Sequence, residues 1–152
     1  MVLLFLLSGC TDRVPSNPYT GRDLKIGVIG EPPSILEVNK VTFYPLGFEE
    51  LLNGKYKQYD GVFIMKERLP EAAAGNYSDV FMGLEVPVIF VGTNSLASFT
   101  GDTEYQVKEY QAGEAYSSGI INGESYGLGI YNDQVNEETK HLFYSDLFRL
   151  IE

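Results

Sequence analysis

The chain has no tryptophan, one cysteine and one histidine in 152 residues, and only 11 lysines and arginines stand against 21 aspartates and glutamates. Each shortage removes a class of function. One cysteine cannot close an intramolecular disulfide. One cysteine and one histidine cannot supply the three or four nitrogen and sulfur ligands of an ordinary zinc site. A formal net charge of −10 without a basic stripe lacks the electrostatic footprint of a nucleic-acid binder. The acid excess contains no D-x-[DN]-x-[DN]-G loop, so no calcium site of that kind is expected. Gly27-Val28-Ile29-Gly30 is too short for a dinucleotide fingerprint, because no helix-opening third glycine follows and Pro32-Pro33 remove backbone donors. No metal and no cofactor is therefore expected. What the chain does have is 44% hydrophobic and 13% aromatic residues, the composition of one folded globular domain.

The single cysteine stands at an informative place. Val2-Leu3-Leu4-Phe5-Leu6-Leu7 is an apolar run too short to cross a bilayer as a stable helix, and it ends in Leu7-Ser8-Gly9-Cys10. This layout resembles the lipobox of bacterial lipoproteins, in which an aliphatic residue and two small residues precede a cysteine that receives a diacylglycerol on sulfur before the signal is removed. The resemblance covers the first ten residues. It implies that residues 1–9 are a signal peptide, that Cys10 is the lipidated mature N-terminus, and that the protein sits lipid-anchored on the extracytoplasmic face of a bacterial cell envelope. No Lys or Arg precedes the apolar run, so the basic segment of such a signal is expected upstream of Met1. Each buried acyl methylene contributes about 0.8 kcal/mol, so two or three chains on one cysteine hold a domain at a membrane without a spanning helix. Thr11 to Asp23, with Pro15, Pro18 and Gly21 and no apolar periodicity, reads as a flexible tether from residue 10 to 23.

A single α/β domain is expected over 24–152. Leu24–Ile29, Val41–Tyr44, Asp60–Met65 and Val86–Val91 have the composition of strands, the first, third and fourth as nearly continuous apolar runs. Pro45 is expected to open a helix carrying Phe48, Leu51 and Leu52 on one face and stopping at Asn53-Gly54. Leu69 to Leu84 is helical in composition but interrupted at Gly75-Asn76. Alternating strands and helices argue for a parallel sheet with right-handed crossovers and helices on both faces. The simplest arrangement is a small three-layer flavodoxin-like sheet in the order 2-1-3-4. Glu114–Ile121 and Glu124–Tyr131 flank Asn122-Gly123, which predicts an antiparallel hairpin on a type I′ turn at one edge. Its pairing sets Gly119 opposite Tyr126 and Ser117 opposite Leu128. One face then collects Ile121, Tyr126, Leu128 and Ile130, with Tyr116 and Tyr131 on the other. A closing C-terminal helix from about Gln134 to Ile151, capped by Asn132 or Asp133, carries Leu142, Phe143, Leu147, Leu150 and Ile151 at helical spacing.

Two kinds of chemistry are open to this frame. Gly123-Glu124-Ser125-Tyr126-Gly127 satisfies the G-x-S-x-G pattern of a hydrolase elbow, and Asp133 and His141 follow in the order of a Ser, Asp, His triad. An elbow needs its serine on a strained turn from strand to helix, whereas here the chain continues as strand. Ser95 with His141 is the other hydrolase option. His141, with Glu137 and Glu138 one helical turn before it, reads otherwise as a solvated helix residue. The second kind follows from the fold: in open α/β sheets ligands collect at the carboxyl ends of the strands. Those ends would bring together Glu31 and Ser34, then Lys66, Glu67 and Arg68, then Thr93, Asn94 and Ser95, a set able to bind a small polar ligand. The eleven tyrosines could add a surface for a protein partner.

The expected function is accordingly a membrane-anchored, non-catalytic extracytoplasmic module that binds a small polar ligand or a protein partner, with a small serine hydrolase using Ser125 or Ser95 with His141 as the alternative. Charge is uneven along the chain. Residues 1 to 68 hold 8 basic and 8 acidic groups, whereas residues 69 to 152 hold 3 and 13. An acidic later half is expected to face away from anionic headgroups, toward any cationic partner.

Overall fold

The computed structural model of the chain describes residues 13–101 and 103–152. Cys10 and the lipobox lie outside the described residues. One six-stranded sheet runs through the molecule in the order β2-β1-β3-β4-β5-β6. Strands β1 (Leu24–Ile29), β2 (Val41–Pro45), β3 (Gly61–Ile64) and β4 (Val88–Phe90) are mutually parallel. Strands β5 (Ser117–Ile121) and β6 (Glu124–Leu128) add an antiparallel hairpin beyond β4. The fold is thus α/β, with the 2-1-3-4 parallel order and an edge hairpin. The buried runs of β1, β3 and β4 are apolar on both sides because helices cover both faces of the sheet.

On one face the helices α1 (Phe48–Leu52), α2 (Leu69–Ala74), α3 (Ser78–Gly83) and α4 (Ala97–Thr100) close a core around Val62, Ile64, Phe81, Phe90 and Phe99. Phe90 stacks on Phe99 at 4.3 Å and meets Phe81 edge-on at 5.1 Å. On the other face a single long helix, α5 (Glu137–Ile151), lies against Ile26, Val28, Phe63 and Ile89. Its Phe148 is fully buried, with Tyr19, Phe43, Phe63 and Tyr144 around it.

Several boundaries fall elsewhere than the sequence suggests. Pro45 ends β2 instead of opening a helix. It lies beside Val28 at the end of the β1–β2 pairing, and the following Leu46 N–H donates to the Val28 carbonyl at 2.9 Å. Helix α1 starts at Phe48, after Gly47, whose N–H donates to Glu50 Oε2 at 2.9 Å. Leu52 is half exposed, so only Phe48 and Leu51 of the expected face are buried. The expected interruption at Gly75-Asn76 is present, with Asn76 at φ 55° between α2 and α3. Helix α5 begins later than expected. Asn136, not Asn132 or Asp133, caps it: Thr139 N–H donates to Asn136 Oδ1 at 3.0 Å and Asn136 N–H to Thr139 Oγ1 at 3.0 Å, a reciprocal box. Its buried stripe is Phe143, Tyr144, Leu147, Phe148 and Ile151, while Leu150 is partly exposed.

The hairpin keeps its expected register, Gly119 opposite Tyr126 and Ser117 opposite Leu128, and turns through Asn122 and Gly123 at φ 53° and 79°. Gly119 is required by packing: a β-carbon there would lie 2.6 Å from Ile89 Cδ1 and 3.0 Å from the Val88 carbonyl, so its absence lets β5 approach β4. Tyr116 is not on the face away from the core. Its ring meets Phe143 of α5 edge-on at 5.1 Å: Tyr116 N–H donates at 2.8 Å to the carbonyl of Leu128, which already stands opposite Ser117, and this bulge breaks the alternation.

The segment read as a flexible tether is docked over its second half. Tyr19 is 2% exposed, its ring edge-on to Phe148 at 6.0 Å and its hydroxyl donating to the Arg22 carbonyl at 2.8 Å. Arg149 of α5 donates to the carbonyls of Asn17 and Pro18. Tyr19 N–H donates to buried Glu37 Oε1 at 2.8 Å, and the Ser145 hydroxyl of α5 donates to the same oxygen. Proline and glycine spacing could not reveal this, since it rests on one aromatic residue and on partners more than a hundred positions away.

Candidate functional site

The carboxyl ends of β1, β3 and β4 are followed by Gly30-Glu31, Met65-Lys66 and Val91-Gly92. The order of the sheet reverses at β1, so the crevice between the ends of β1 and β3 is the place where such folds usually hold a ligand. Here the chain fills it with its own carboxylate. Glu67 Oε1 accepts the Glu31 N–H at 2.6 Å and stands too close to Gly30, at φ 114°, to leave room for a β-carbon there. Arg68 turns away to Glu71, with Nε and Nη2 donating to Oε2 at 2.9 and 2.6 Å, and lies over the Phe48 ring at 5.7 Å. The switch point is closed by internal contacts, and Glu31 and Arg68 do not join Lys66 in one pocket.

The open space lies one strand further along. A cleft of about 420 Å³ is bounded by Lys66 and Gly92 from the ends of β3 and β4, by Glu109, Tyr110 and Tyr116 from the segment leading into β5, and by Val135 and Lys140 at the start of α5. Gly92 N–H donates to Ser117 Oγ at 3.0 Å, tying the end of β4 to the start of β5 at the cleft floor. A smaller notch beside it is lined by Thr93, Asn94, Tyr105, Lys108 and Glu114. Of the strand-end residues expected to converge, Lys66, Thr93 and Asn94 are therefore neighbours here.

The two cations of the cleft are loosely engaged. Lys66 Nζ is 3.8 Å from Glu109, whose side chain is 90% exposed, and Lys140 Nζ donates to Glu137 at 2.9 Å on the helix surface. Exposed pairs of this kind are worth at most about 1 kcal/mol, so both ammonium groups can exchange partner for an anionic ligand. The Glu137 hydrogen bond raises the Lys140 pKa, keeping it charged at neutral pH. The tyrosine wall is held more firmly. The Tyr110 hydroxyl donates to Asp133 Oδ1 at 2.6 Å, and this bond pushes the phenol up to about 12 and holds the Asp133 carboxyl below its ordinary range. Asn132 and Asp133 both take left-handed backbone, φ 51° and 54°, a cost of order 1–3 kcal/mol per residue that surrounding contacts must offset. Burial raises the Tyr116 pKa, so that phenol is a neutral ring and hydroxyl beside the lysines.

The hydrolase candidates are not assembled. Ser125 is exposed on β6 and shares its sheet face with Ile120, which belongs to the core under α1 to α4, whereas His141 is on α5 across the sheet. Asp133 holds Tyr110. Ser95 sits before α4, its N–H donating to Thr93 Oγ1 at 3.1 Å and its hydroxyl 2.8 Å from Ser98 Oγ. His141 Nε2 instead meets Ser34 Oγ at 3.2 Å, beside a second cleft of about 340 Å³ between residues 13–17, Leu36 and α5. Among the described residues no cluster of three or more His, Cys, Asp or Glu could hold a metal ion, and no helix is long and apolar enough to cross a membrane. The sequence reading missed Tyr110, Tyr116 and Lys140 as cleft residues. They come from a loop without periodicity and from the solvent side of a helix, and only their approach to the strand ends marks them. Compared with known proteins, the chain matches no family model, no curated protein and no solved structure.

Proposed function

We propose that this chain is a lipid-anchored module of the bacterial envelope, held outside the cytoplasm through Cys10, whose α/β domain binds a small polar ligand carrying an anionic group. The observation that supports the ligand site is the cleft at the ends of β3 and β4, where Lys66 and Lys140 flank a wall of Tyr110 and Tyr116. Two weakly paired ammonium groups suit a carboxylate or phosphate, and tyrosine rings suit the flat or apolar remainder of a small molecule. Binding is preferred here to a serine hydrolase, because Ser125, Asp133 and His141 each serve a different part of the fold.

The test of the ligand site is a titration of the isotopically labelled chain with a panel of small carboxylates and phosphate esters, read by amide shifts. Saturable shifts at Lys66, Gly92 and Tyr116, lost in Lys66→Gln with Lys140→Gln, are the expected result. Binding that survives the double substitution would refute this cleft as the site. The anchor has its own test: Cys10→Ala is expected to move from the membrane to the soluble fraction, and unchanged membrane partition would refute lipidation.

A further inference from the structure

Among the described residues β6 ends the sheet, paired to β5 on one side and to no strand on the other. A two-residue turn makes Ile121 and Glu124 the first hydrogen-bonded pair, so antiparallel alternation points the backbone N–H and C=O of Ser125 and Gly127 away from β5. Both residues are exposed. Sheet edges in natural proteins are usually blunted by proline, lysine, a bulge or a covering element. The opposite edge, β2, ends in Pro45, whereas β6 carries neither proline nor lysine. A groove of about 450 Å³ runs beneath the β6 edge, between Gly127–Tyr131 and the outer flank of α5, lined by Leu128, Leu142, Leu147, Leu150 and Asp146. Leu150, 41% exposed, presents an apolar side chain there.

Charge chooses the occupant. From residue 114 to the end there are seven acidic side chains and two basic ones. Glu124 stands on the edge strand itself, on the same face as Tyr126 and Leu128. A second copy of this chain, itself at net charge −10, would be repelled. We propose that β6 and the flank of α5 dock an extended, basic segment of a partner protein as a seventh strand. Its backbone pairs with the outward groups of Ser125 and Gly127, its apolar side chains enter the leucine groove, and a lysine or arginine side chain reaches Glu124, Asp146 being already paired with Arg149 at 2.7 Å. This surface is separate from the ligand cleft and does not depend on it.

The experiment uses the full chain and a fluorescent synthetic decapeptide alternating valine with lysine and threonine, followed by anisotropy. A matched peptide with glutamate for lysine serves as control. Saturable binding of the basic peptide alone is expected. Ser125→Pro removes an outward N–H that takes no part in the β5–β6 ladder, and should weaken binding roughly tenfold or more while Ser125→Ala stays within about twofold. Leu150→Asp, a surface change that spares the strand, should weaken binding to a similar degree and keeps the test open if the proline variant misfolds. Equal binding of the acidic peptide, unchanged affinity in a folded Ser125→Pro or Leu150→Asp variant, no binding of the basic peptide, or a dimer of the chain that Ser125→Pro dissolves would each overturn the proposal.

Discussion

Replacing Tyr19 by alanine separates a tether from a docked segment. If residues up to 23 were a solvated linker, the change would alter stability by less than about 0.5 kcal/mol, as surface substitutions do. The structure buries Tyr19 to 2% exposure against Phe148. A buried aromatic side chain removes about 150–250 Å² from water, worth roughly 4–6 kcal/mol at 25 cal/mol per Å², an upper bound because the unfolded chain already hides part of that surface. Measured aromatic-to-alanine changes in cores cost about 3–5 kcal/mol. Tyr19→Ala is therefore expected to cost about 3 kcal/mol, which for a domain of this size lowers Tm by roughly 6–12 °C. Tyr19→Phe keeps the ring and loses only the hydroxyl bond to Arg22, so it should cost about 1 kcal/mol. Urea and thermal unfolding followed by circular dichroism measure both, since the chain has no tryptophan to report by fluorescence. A Tyr19→Ala protein within 0.5 kcal/mol of the parent would refute the docking and restore the tether to its full length.

Four further outcomes are expected. The Tyr110–Asp133 bond holds the Asp133 pKa below its ordinary 3.8 and raises that of Tyr110 from 10 to about 12. Its stabilisation is therefore present between these limits, lost as pH falls below 3.8 through the lowered carboxyl pKa, and lost as pH rises from 10 through about 12. Tyr110→Phe should flatten both limbs of a stability profile against pH and remove one late-ionising phenol from an ultraviolet titration; an unchanged profile would show that the bond does not form in solution. Glu37→Ala leaves the Tyr19 N–H without its acceptor, at about 1–3 kcal/mol, while the Ser145 hydroxyl still has the His141 carbonyl at 3.0 Å; Glu37→Gln retains an acceptor, so urea unfolding should rank glutamine above alanine. Gly119→Ala places a methyl 2.6 Å from Ile89 Cδ1 and 3.0 Å from a backbone oxygen, and should cost about 1–3 kcal/mol by calorimetry. A serine-reactive fluorophosphonate should label none of Ser34, Ser95 or Ser125, and mass-spectrometric detection of an adduct on any of them would reopen catalysis.

Much of the frame was legible because it rests on local pattern. Continuous apolar runs marked β1, β3 and β4 as strands covered on both faces, and Asn122-Gly123 specified both the turn and the pairing across it. Boundaries were less legible where two local rules compete. Pro45 is acceptable at the end of a strand and at the start of a helix, and pairing beside Val28 decided for the strand. Asp133 is a good cap, yet its carboxylate is engaged by Tyr110, and Asn136 caps instead. The candidate site was legible only in its strand-end residues. Lys66, Thr93 and Asn94 follow from topology, whereas Tyr110, Tyr116 and Lys140 reach the cleft by long-range packing.

The sequence by itself determined the class of fold, the order of its parallel strands, the hairpin register and the concentration of acid in the later half. These depend on periodicity, turn chemistry and composition, which act over a few residues at a time. Tertiary structure alone decided that Glu67 closes the crevice at the switch in strand order, that the open cleft lies between β4 and α5, that His141 meets Ser34, and that Tyr19 belongs to the core. Each of these joins side chains far apart in the chain, or a side chain to a backbone turned toward it by the sheet. Their free energy exists only once the layers have packed, and no local preference encodes it.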